Sequence, residues 1–392
     1  MNAAAVRGVL VVVVAGSLSA CTSSMVGGGT GSGGAMSSSG SGGSTMTGTG
    51  GAAGGSGGTT AGTGGAASGT GTGGASDAGA GGSDAAAGGG DAAGGSMTTS
   101  LGPAGGACPG GPYPAPIPQN NKATLVRGAF GGQLEGAVWV AAQKALYFCV
   151  YNGGVMNGQI QKYTPADGQF TIFANNIGVG GLAMGPDGML VAASYDKRAL
   201  TRFDPATGTR TDVPGFTGKN FNEVNDVVVR SDGNMYFSDP QFGPNQQGLP
   251  MAFYRLSPPP ASAITSIVMA RNANGIALAP DGLSLYMSTT DGGPALMRVP
   301  LGMDGAPSGP VVTLKDATSD GMGVDCAGNV YLSGQTDQIN VISPTDQAVG
   351  TIVGTGGYVT NSAFGDEDRK TLYITTFTSL YKIQLDVPGF PN

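Results

Sequence analysis

The sequence predicts an all-β fold, a six-bladed β-propeller over residues 107–392, and three observations lead to this prediction. A motif of two short apolar strands and a tight turn recurs six times, starting at residues 136, 181, 226, 275, 321 and 362. The starts lie 41 to 49 residues apart, the length of a propeller blade with three or four antiparallel strands. No segment of this region has a convincing helical period.

Each repeat contains the elements of a β-hairpin. An apolar strand such as residues 226–229 is followed by a turn with glycine, here Gly233, and then by an aromatic or β-branched strand such as residues 235–237. A third strand follows in most repeats. The sixth repeat ends early, near residues 380–383, whereas a spare strand near residues 123–126 precedes the first repeat. We expect these two segments to pair and close the ring, because an unfinished blade would leave an open edge.

The amino terminus indicates export. Arg7 and the apolar run that follows it are too short for a bilayer-spanning helix and are typical of a signal peptide over residues 1–20. Residues 18–21 read Leu-Ser-Ala-Cys and resemble a bacterial lipobox, which predicts lipidation at Cys21; the alternative is ordinary cleavage at a small residue. Thr22, rather than Asp, favours the outer membrane by the same resemblance. The mature chain is then expected to reach the membrane through its lipid alone, without a transmembrane helix.

Residues 21–106 are expected to form a disordered tether. Residues 22–106 contain no Lys, Arg or aromatic residue and only three acidic residues, within a Gly/Ser/Ala/Thr-rich tract. Such a composition cannot bury enough apolar surface to offset the entropy of ordering. We assign no catalytic role to it.

Composition excludes several functions. The formal net charge is −7 and there is no basic stripe, so nucleic acid is not an expected partner. The chain has no histidine, which removes Ser-His-Asp and Cys-His catalysis and His-ligated zinc. Any chemistry therefore depends on oxygen ligands and carboxylates.

The residues directly before the repeat starts form the candidate site. Because the first strand of each blade lines the axis of a propeller, equivalent positions are expected to form a ring, which we call the hub ring. Five of its six members carry a side-chain oxygen; in order they are Glu135, Gly180, Asn225, Asn274, Asp320 and Asn361. Carboxylate and amide oxygens without nitrogen or sulfur donors suit Ca²⁺ better than Mg²⁺, Zn²⁺ or copper. The alternative is that Asn and Asp merely cap turns at the strand starts.

Several segments, taken in order, resemble the senescence-marker-protein, gluconolactonase and luciferin-regenerating-enzyme family. They are residues 134–139, 225–243, 274–282 and 320–325, within a match over about residues 125–385. The resemblance implies a six-bladed propeller with Ca²⁺, or another divalent cation with oxygen ligands, in the axial tunnel, held by Glu135, Asn225, Asn274 and Asp320. It also implies hydrolysis of small-molecule sugar lactones or related esters.

The sequence departs from this family where substrate contacts are expected. Gly180 and Tyr195 stand where relatives often have Asn and His, and Glu223 stands where some have Arg. Arg198 is retained. We predict substrate contacts from Asn225, Asp239, Tyr195 and Arg198, and the substrate itself is not identified by these residues.

Asp320 is the predicted catalytic base. It matches the acidic ligand of the family, and carboxylates are among the few bases left in a chain without histidine. Glu135 would be a ligand only, whereas Asn225 and Asn274 would hold the metal and orient the substrate. Two alternatives remain at this point: a non-catalytic propeller that binds protein or glycan, and a lactone or sugar-acid sensor that keeps the metal.

With Cys21 lipidated, three cysteines remain in an oxidising compartment. Cys149 and Cys326 lie in or beside predicted strands. Either of them could bridge to Cys108, and the spacing does not choose between them.

Overall fold

The computed structural model describes residues 107–390 except 153, 217–219, 243–247, 291–295, 316 and 335. The predicted signal peptide, the lipidation site Cys21 and the predicted tether lie outside the described residues. Within the described part, the strands carry the fold and the one helix is a 3₁₀ turn at Ala141–Gln143. None of the described helices has the length and apolar character that a bilayer crossing requires.

The fold is the predicted six-bladed propeller, in which each blade is a four-stranded antiparallel sheet. The strands of blades one and two are β2 (Gln133–Val140), β3 (Ala145–Tyr151), β4 (Gly158–Thr164), β5 (Gln169–Ile177), β6 (Val179–Met184), β7 (Leu190–Ser194), β8 (Ala199–Phe203) and β9 (Arg210–Asp212). The strands of blades three and four are β10 (Val227–Val229), β11 (Met235–Asp239), β12 (Ala252–Leu256), β13 (Ile264–Met269), β14 (Ala273–Leu278), β15 (Ser284–Thr289), β16 (Leu296–Pro300) and β17 (Val312–Lys315). Blade five contains β18 (Met322–Val324), β19 (Val330–Ser333), β20 (Gln338–Ile342) and β21 (Ala348–Val353).

The sixth blade closes the ring as predicted. It contains β22 (Val359–Gly365), β23 (Thr371–Thr376), β24 (Leu380–Gln384) and, from the other end of the domain, β1 (Thr124–Arg127). β1 lies antiparallel to β24, with Thr124 opposite Lys382 and Leu125 opposite Tyr381. This pairing covers the edge that β24 would otherwise expose.

The core is divided among the six blade interfaces. Six apolar clusters lie between successive blades, including the one between blades six and one. In the cluster between blades two and three, the rings of Phe216, Phe221, Phe237 and Tyr254 lie 4.9 to 5.5 Å apart. Fully burying one such side chain contributes about 1.5–3 kcal/mol. The interfaces therefore hold the blades in a fixed order around the axis.

The innermost strands β2, β6, β10, β14, β18 and β22 contact one another around this axis. Their regular pairing is interrupted next to the hub ring. β2 shifts register between Glu135 and Val138, β14 between Ala273 and Ile276, and β10 begins only at Val227. A bulge re-aims side chains locally, so these irregularities allow the hub-ring residues to leave the alternating strand pattern.

Glycine follows the hub-ring residue in four blades because the backbones meet closely there. A Cβ on Gly136 would lie 2.1 Å from the carbonyl oxygen of Gly180, and one on Gly275 would lie 2.1 Å from that of Asp320. Gly136 also has a φ of +55°, which favours glycine. The innermost strands consequently approach one another more closely than side chains would permit.

The amino-terminal end of the domain is fixed to blade five. A disulfide joins Cys108 to Cys326, 218 residues apart, with Cα atoms 5.5 Å apart. It resolves the choice left open by the sequence, since Cys149 is a buried free thiol. Val387 and Phe390 pack with Cys326 in a small cluster that also includes Cys108 and Tyr113.

Candidate metal and active site

The hub ring surrounds a small cavity on the propeller axis. Its volume is about 10 Å³, enough for a single ion or water. Five hub-ring residues from different blades and four adjacent residues line it; the lining consists of Glu135, Tyr151, Gly180, Gly181, Asn225, Asp226, Asn274, Gly321 and Asn361. Asp320 joins this group through a hydrogen bond from the Asn274 side chain. The structure therefore brings all four predicted metal ligands together.

The amide of Asn225 is oriented by a neighbouring blade. Its Nδ2 donates a 2.5 Å hydrogen bond to the hydroxyl of Tyr195. Because the oxygen and nitrogen of an amide lie on opposite sides of its carbon, the bond to Tyr195 directs Oδ1 away from that tyrosine. Asn225 can therefore offer a neutral oxygen to a ligand in the cavity.

The amide of Asn274 is oriented in the same way. Its Nδ2 lies 3.4 Å from Thr290 Oγ1, and its side chain also donates to the carboxylate of Asp320. Asn274 is only 2% exposed. With its nitrogen engaged on both partners, Asn274 has its carbonyl oxygen available as an acceptor.

Asn361 differs from these two residues, although it belongs to the same ring. Its Oδ1 accepts a 2.7 Å hydrogen bond from the backbone N–H of Ser362. The oxygen that could bind a cation is thus engaged by the next residue of its own strand. One of the two lone pairs of that oxygen is therefore occupied, which distinguishes Asn361 from Asn225 and Asn274.

Three carboxylates lie around the hub: Asp226 and Asp320 are buried, and Glu135 is half-buried. Burial, the nearby charge of Asp320 and that of Asp226 raise the pKa of Glu135, although a 2.8 Å hydrogen bond from Gln133 opposes the shift. Burial is also the main cause that raises the pKa of Asp320, and it raises the pKa of Asp226 to about 7. Each of these carboxylates is therefore costly to ionise without a nearby positive charge.

No basic side chain in the described residues supplies that charge through an ion pair. The four ion pairs found there involve other acidic residues, Glu367, Asp187, Asp196 and Asp232. Ca²⁺ would neutralise two of the hub carboxylates and prefers carboxylate and amide oxygens. The donor set of Glu135, Asn225, Asn274 and Asp320 thus fits this cation. Within the described ranges, no group of three or more His, Cys, Asp or Glu side chains is placed to hold a metal, so the amide oxygens are essential to the fit.

The sequence placed Asp226 at the start of a repeat strand but indicated no role for its side chain. The residue stands where blades one, two, four and five have glycine, which was a visible departure from the repeat. Its carboxylate accepts backbone N–H groups from Val227 at 2.9 Å and Ile276 at 3.2 Å. Tyr358 was also missed, and its side chain donates a hydrogen bond to Asp320.

The predicted substrate residues lie in two places, at the hub ring and around the segment that precedes Asn225. Tyr195 is buried at the hub beside Asn225, whereas Arg198 and Asp239 lie around residues 220–224. Arg198 Nε donates to the carbonyl of Phe221. Asp239 is fully buried, and it accepts the backbone N–H groups of Asn222 and Glu223 at 2.8 Å. These contacts fix the chain segment that leads into Asn225, and direct substrate contact by the four residues stays a prediction.

A wider cavity of about 580 Å³ lies at the other end of the innermost strands, beside the turns that follow β2, β6 and β22. Its charged side chains are engaged with one another, with backbone or with a tyrosine hydroxyl. Lys144 pairs with Glu367, Arg369 donates to the carbonyl of Ala107 at 3.0 Å, and Asp366 accepts from Tyr373 at 2.8 Å. The convergent oxygens of the hub make the hub cavity the better candidate for chemistry.

Comparison with known families identifies the chain. Residues 134–378 match the family described as SMP-30/Gluconolactonase/LRE-like region. This chain belongs to that family. The match begins immediately before Glu135 and covers the five later positions of the hub ring, so the gluconolactonase-like family and the geometric site occupy the same part of the chain.

Individual relatives agree with this assignment. The chain is 28% identical over 293 residues to a gluconolactonase of Zymomonas mobilis, with 65% of this chain and 79% of the relative covered. The fold is similar to a solved gluconolactonase from Xanthomonas campestris, at 24% identity and a TM-score of 0.58, over 71% of this chain and 99% of the other. It is also similar to the calcium-binding protein regucalcin from Agrobacterium tumefaciens, at 19% identity and a TM-score of 0.56, over 69% and 96%.

Proposed function

We propose that this gluconolactonase-like protein is a Ca²⁺-dependent hydrolase of sugar lactones or related esters. The observation that carries the proposal is the convergence of the Glu135 carboxylate and two oriented amides on one cavity of ionic size, with the Asp320 carboxylate hydrogen-bonded to one of those amides. The 28% identity to a gluconolactonase supports the lactone as substrate class. Regucalcin, which is similar in fold, is described as a calcium-binding protein, and this supports Ca²⁺ as the cation for the oxygen-lined hub.

In the proposed mechanism, Glu135, Asn225, Asn274 and Asp320 hold the cation at the hub. A Ca²⁺ ion held there would supply Lewis-acid polarisation of the ester carbonyl and electrostatic stabilisation of the negative charge on its oxygen. The hub cavity has room for one ion only, so the lactone would bind above it at the mouth, within reach of Tyr195 and Arg198.

Asp320 would act as the general base. Its carboxylate removes a proton from the attacking water while the water oxygen bonds to the carbonyl carbon, and the ring C–O bond then breaks. The same proton passes to the leaving oxygen, which gives a hydroxy acid. Hydrogen bonds from Asn274 and Tyr358 hold the carboxylate in place for this transfer.

Metal content and a lactone panel test the proposal together. Purified protein should contain about one calcium per chain, and chelation should abolish hydrolysis that added Ca²⁺ restores. Tight lactone binding without hydrolysis would contradict the hydrolase proposal and identify a sensor. A protein with neither metal nor lactone binding would instead be a non-catalytic propeller.

We also propose that the protein is exported and held at the outer membrane by lipid on Cys21. The lipobox-like residues 18–21 support this. Replacing Cys21 with Ser should release the protein from the membrane fraction while leaving lactonase activity unchanged. Retention of that variant in the membrane fraction would contradict lipid anchoring.

A further inference from the structure

The position after each hub-ring residue faces the neighbouring blade. In blades one, two, four and five it is glycine, and an added Cβ would lie 2.1 or 2.2 Å from an atom of the next blade. Blade three has Asp226 at this position, and blade six has Ser362. Asp226 is therefore an acidic side chain at a place where most blades have no room for one.

The carboxylate of Asp226 joins two blades. Oδ1 accepts the N–H of Val227, the next residue and the first of β10, at 2.9 Å, and Oδ2 accepts the N–H of Ile276 in blade four at 3.2 Å. On the other side, a Cβ on Gly181 of blade two would lie 2.2 Å from Oδ1. Asp226 is thus packed against blade two and hydrogen-bonded to blade four, and it is only 8% exposed.

These contacts lie next to two predicted metal ligands. Asp226 directly follows Asn225, and Ile276 lies two residues after Asn274, beyond the register shift that interrupts β14. The Asp226–Ile276 hydrogen bond consequently links the backbone that presents Asn225 to the backbone that presents Asn274. Asp226 and Asn361 line both the hub cavity and a second small cavity, whose other lining residues are apolar.

We propose that Asp226 is a positioning residue that sets the separation of Asn225 and Asn274 and so tunes cation affinity at the hub. The inference depends on the proposed metal site but assigns Asp226 no direct bond to the metal. Partners that orient metal ligands change affinity or activity by about 10- to 100-fold when they are removed. We expect an effect of this size for Asp226.

Calcium titration of the purified full-length protein tests this role, with Asp226→Ala and Asp226→Asn compared with wild type at a temperature where all are folded. Asp226→Ala removes both acceptors and should weaken Ca²⁺ binding about 10- to 100-fold. Asp226→Asn keeps one acceptor oxygen, so its Ca²⁺ affinity should lie between those of wild type and Asp226→Ala. This second variant keeps the test decisive if the alanine variant does not fold.

Asp325→Ala is the matched control. Asp325 is also buried and accepts the backbone N–H groups of Ala327 at 3.0 Å and Asn329 at 2.9 Å, in the turn between β18 and β19 of blade five. Its loss should lower the melting temperature and change Ca²⁺ affinity less than twofold. If folded Asp226→Ala and Asp226→Asn both bind Ca²⁺ as wild type does, the positioning role is wrong while the metal site stands. If wild type binds no Ca²⁺, the proposed function fails with it.

Discussion

The side-chain amide of Asn225 donates its hydrogen bond to the hydroxyl of Tyr195 across the boundary between blades two and three, over 2.5 Å. One contact thus links a predicted metal ligand to a predicted substrate-contacting residue. It explains how a buried tyrosine can support the hub: the hydroxyl holds the amide nitrogen, and the amide oxygen remains for the cation.

Replacing Tyr195 with Phe should weaken Ca²⁺ binding about 3- to 10-fold, because losing one hydrogen bond costs about 0.5–1.5 kcal/mol and frees the Asn225 amide to rotate. Calcium titration measures the change. Tyr236→Phe is the control, since Tyr236 is also buried but donates to the carbonyl of Gly305 at 2.8 Å, remote from the hub. Equal affinities in wild type and both variants would show that Tyr195 does not orient Asn225.

Asp320→Asn should lower kcat for a lactone about 10²- to 10⁴-fold, the usual contribution of a general base. The substitution is nearly isosteric, so the circular dichroism spectrum should not change. Rates are compared at saturating Ca²⁺, which separates loss of the base from weaker metal binding. Turnover close to that of wild type would remove Asp320 from the proposed mechanism.

Deleting residues 119–128 should lower stability by about 2–4 kcal/mol, because it removes the β1–β24 hydrogen bonds, each worth about 0.5–1.5 kcal/mol, and exposes the edge of β24. The melting temperature should fall by roughly 5–10 °C. Leu125→Ala is the control, since Leu125 is 58% exposed and its backbone pairing is kept. An unchanged melting temperature in the deletion variant would mean that closure contributes little.

Cys108→Ser should lower the free energy of unfolding by about 2–4 kcal/mol under oxidising conditions, a typical contribution of a native disulfide. Chemical denaturation with and without reductant measures it. Reductant should lower the free energy of unfolding of wild type to that of the variant and leave the value for the variant unchanged. If reductant destabilises both proteins equally, the effect does not come from the Cys108–Cys326 bond.

Asp239 should make stability depend on pH. Burial raises its pKa to about 6, although hydrogen bonds from Asn222 and Glu223 oppose the shift; in the unfolded chain an aspartate titrates near about 3.9. A raised folded pKa means that its stabilising contribution is complete below about pH 4 and is lost as pH rises through about 6.

Comparison with Asp239→Asn isolates this effect, because Asn does not titrate and the other groups cancel. The unfolding free energy of wild type minus that of the variant should decrease by about 3 kcal/mol between pH 4 and pH 7.5. Urea denaturation across this range measures the difference. A difference that stays constant, or increases with pH, contradicts the raised pKa.

The sequence was sufficient for the architecture and for the location of the hub ring, because a six-fold repeat places equivalent residues on one axis. It could not give the orientation of the amides, since this depends on the side chains of Tyr195 and Thr290, which directly follow β7 and β15 and whose contacts with Asn225 and Asn274 have no sequence signature. The pairing of Cys108 with Cys326 was equally inaccessible, because spacing carries no information on which blade lies beside the amino-terminal segment. For Asp226, the sequence alone shows that an aspartate replaces the glycine of four other repeats. It does not show that the Asp226 carboxylate accepts the backbone N–H of Ile276.

The disulfide between Cys108 and Cys326 also has a mechanical consequence. Cys108 precedes β1, the strand that completes the sixth blade. A tensile force applied at the amino-terminal side of Cys108 would be transmitted through the disulfide to the turn between β18 and β19 of blade five, rather than along residues 109–127. The strand that completes the ring would therefore carry no load, and shear at the start of the domain would not peel it from β24.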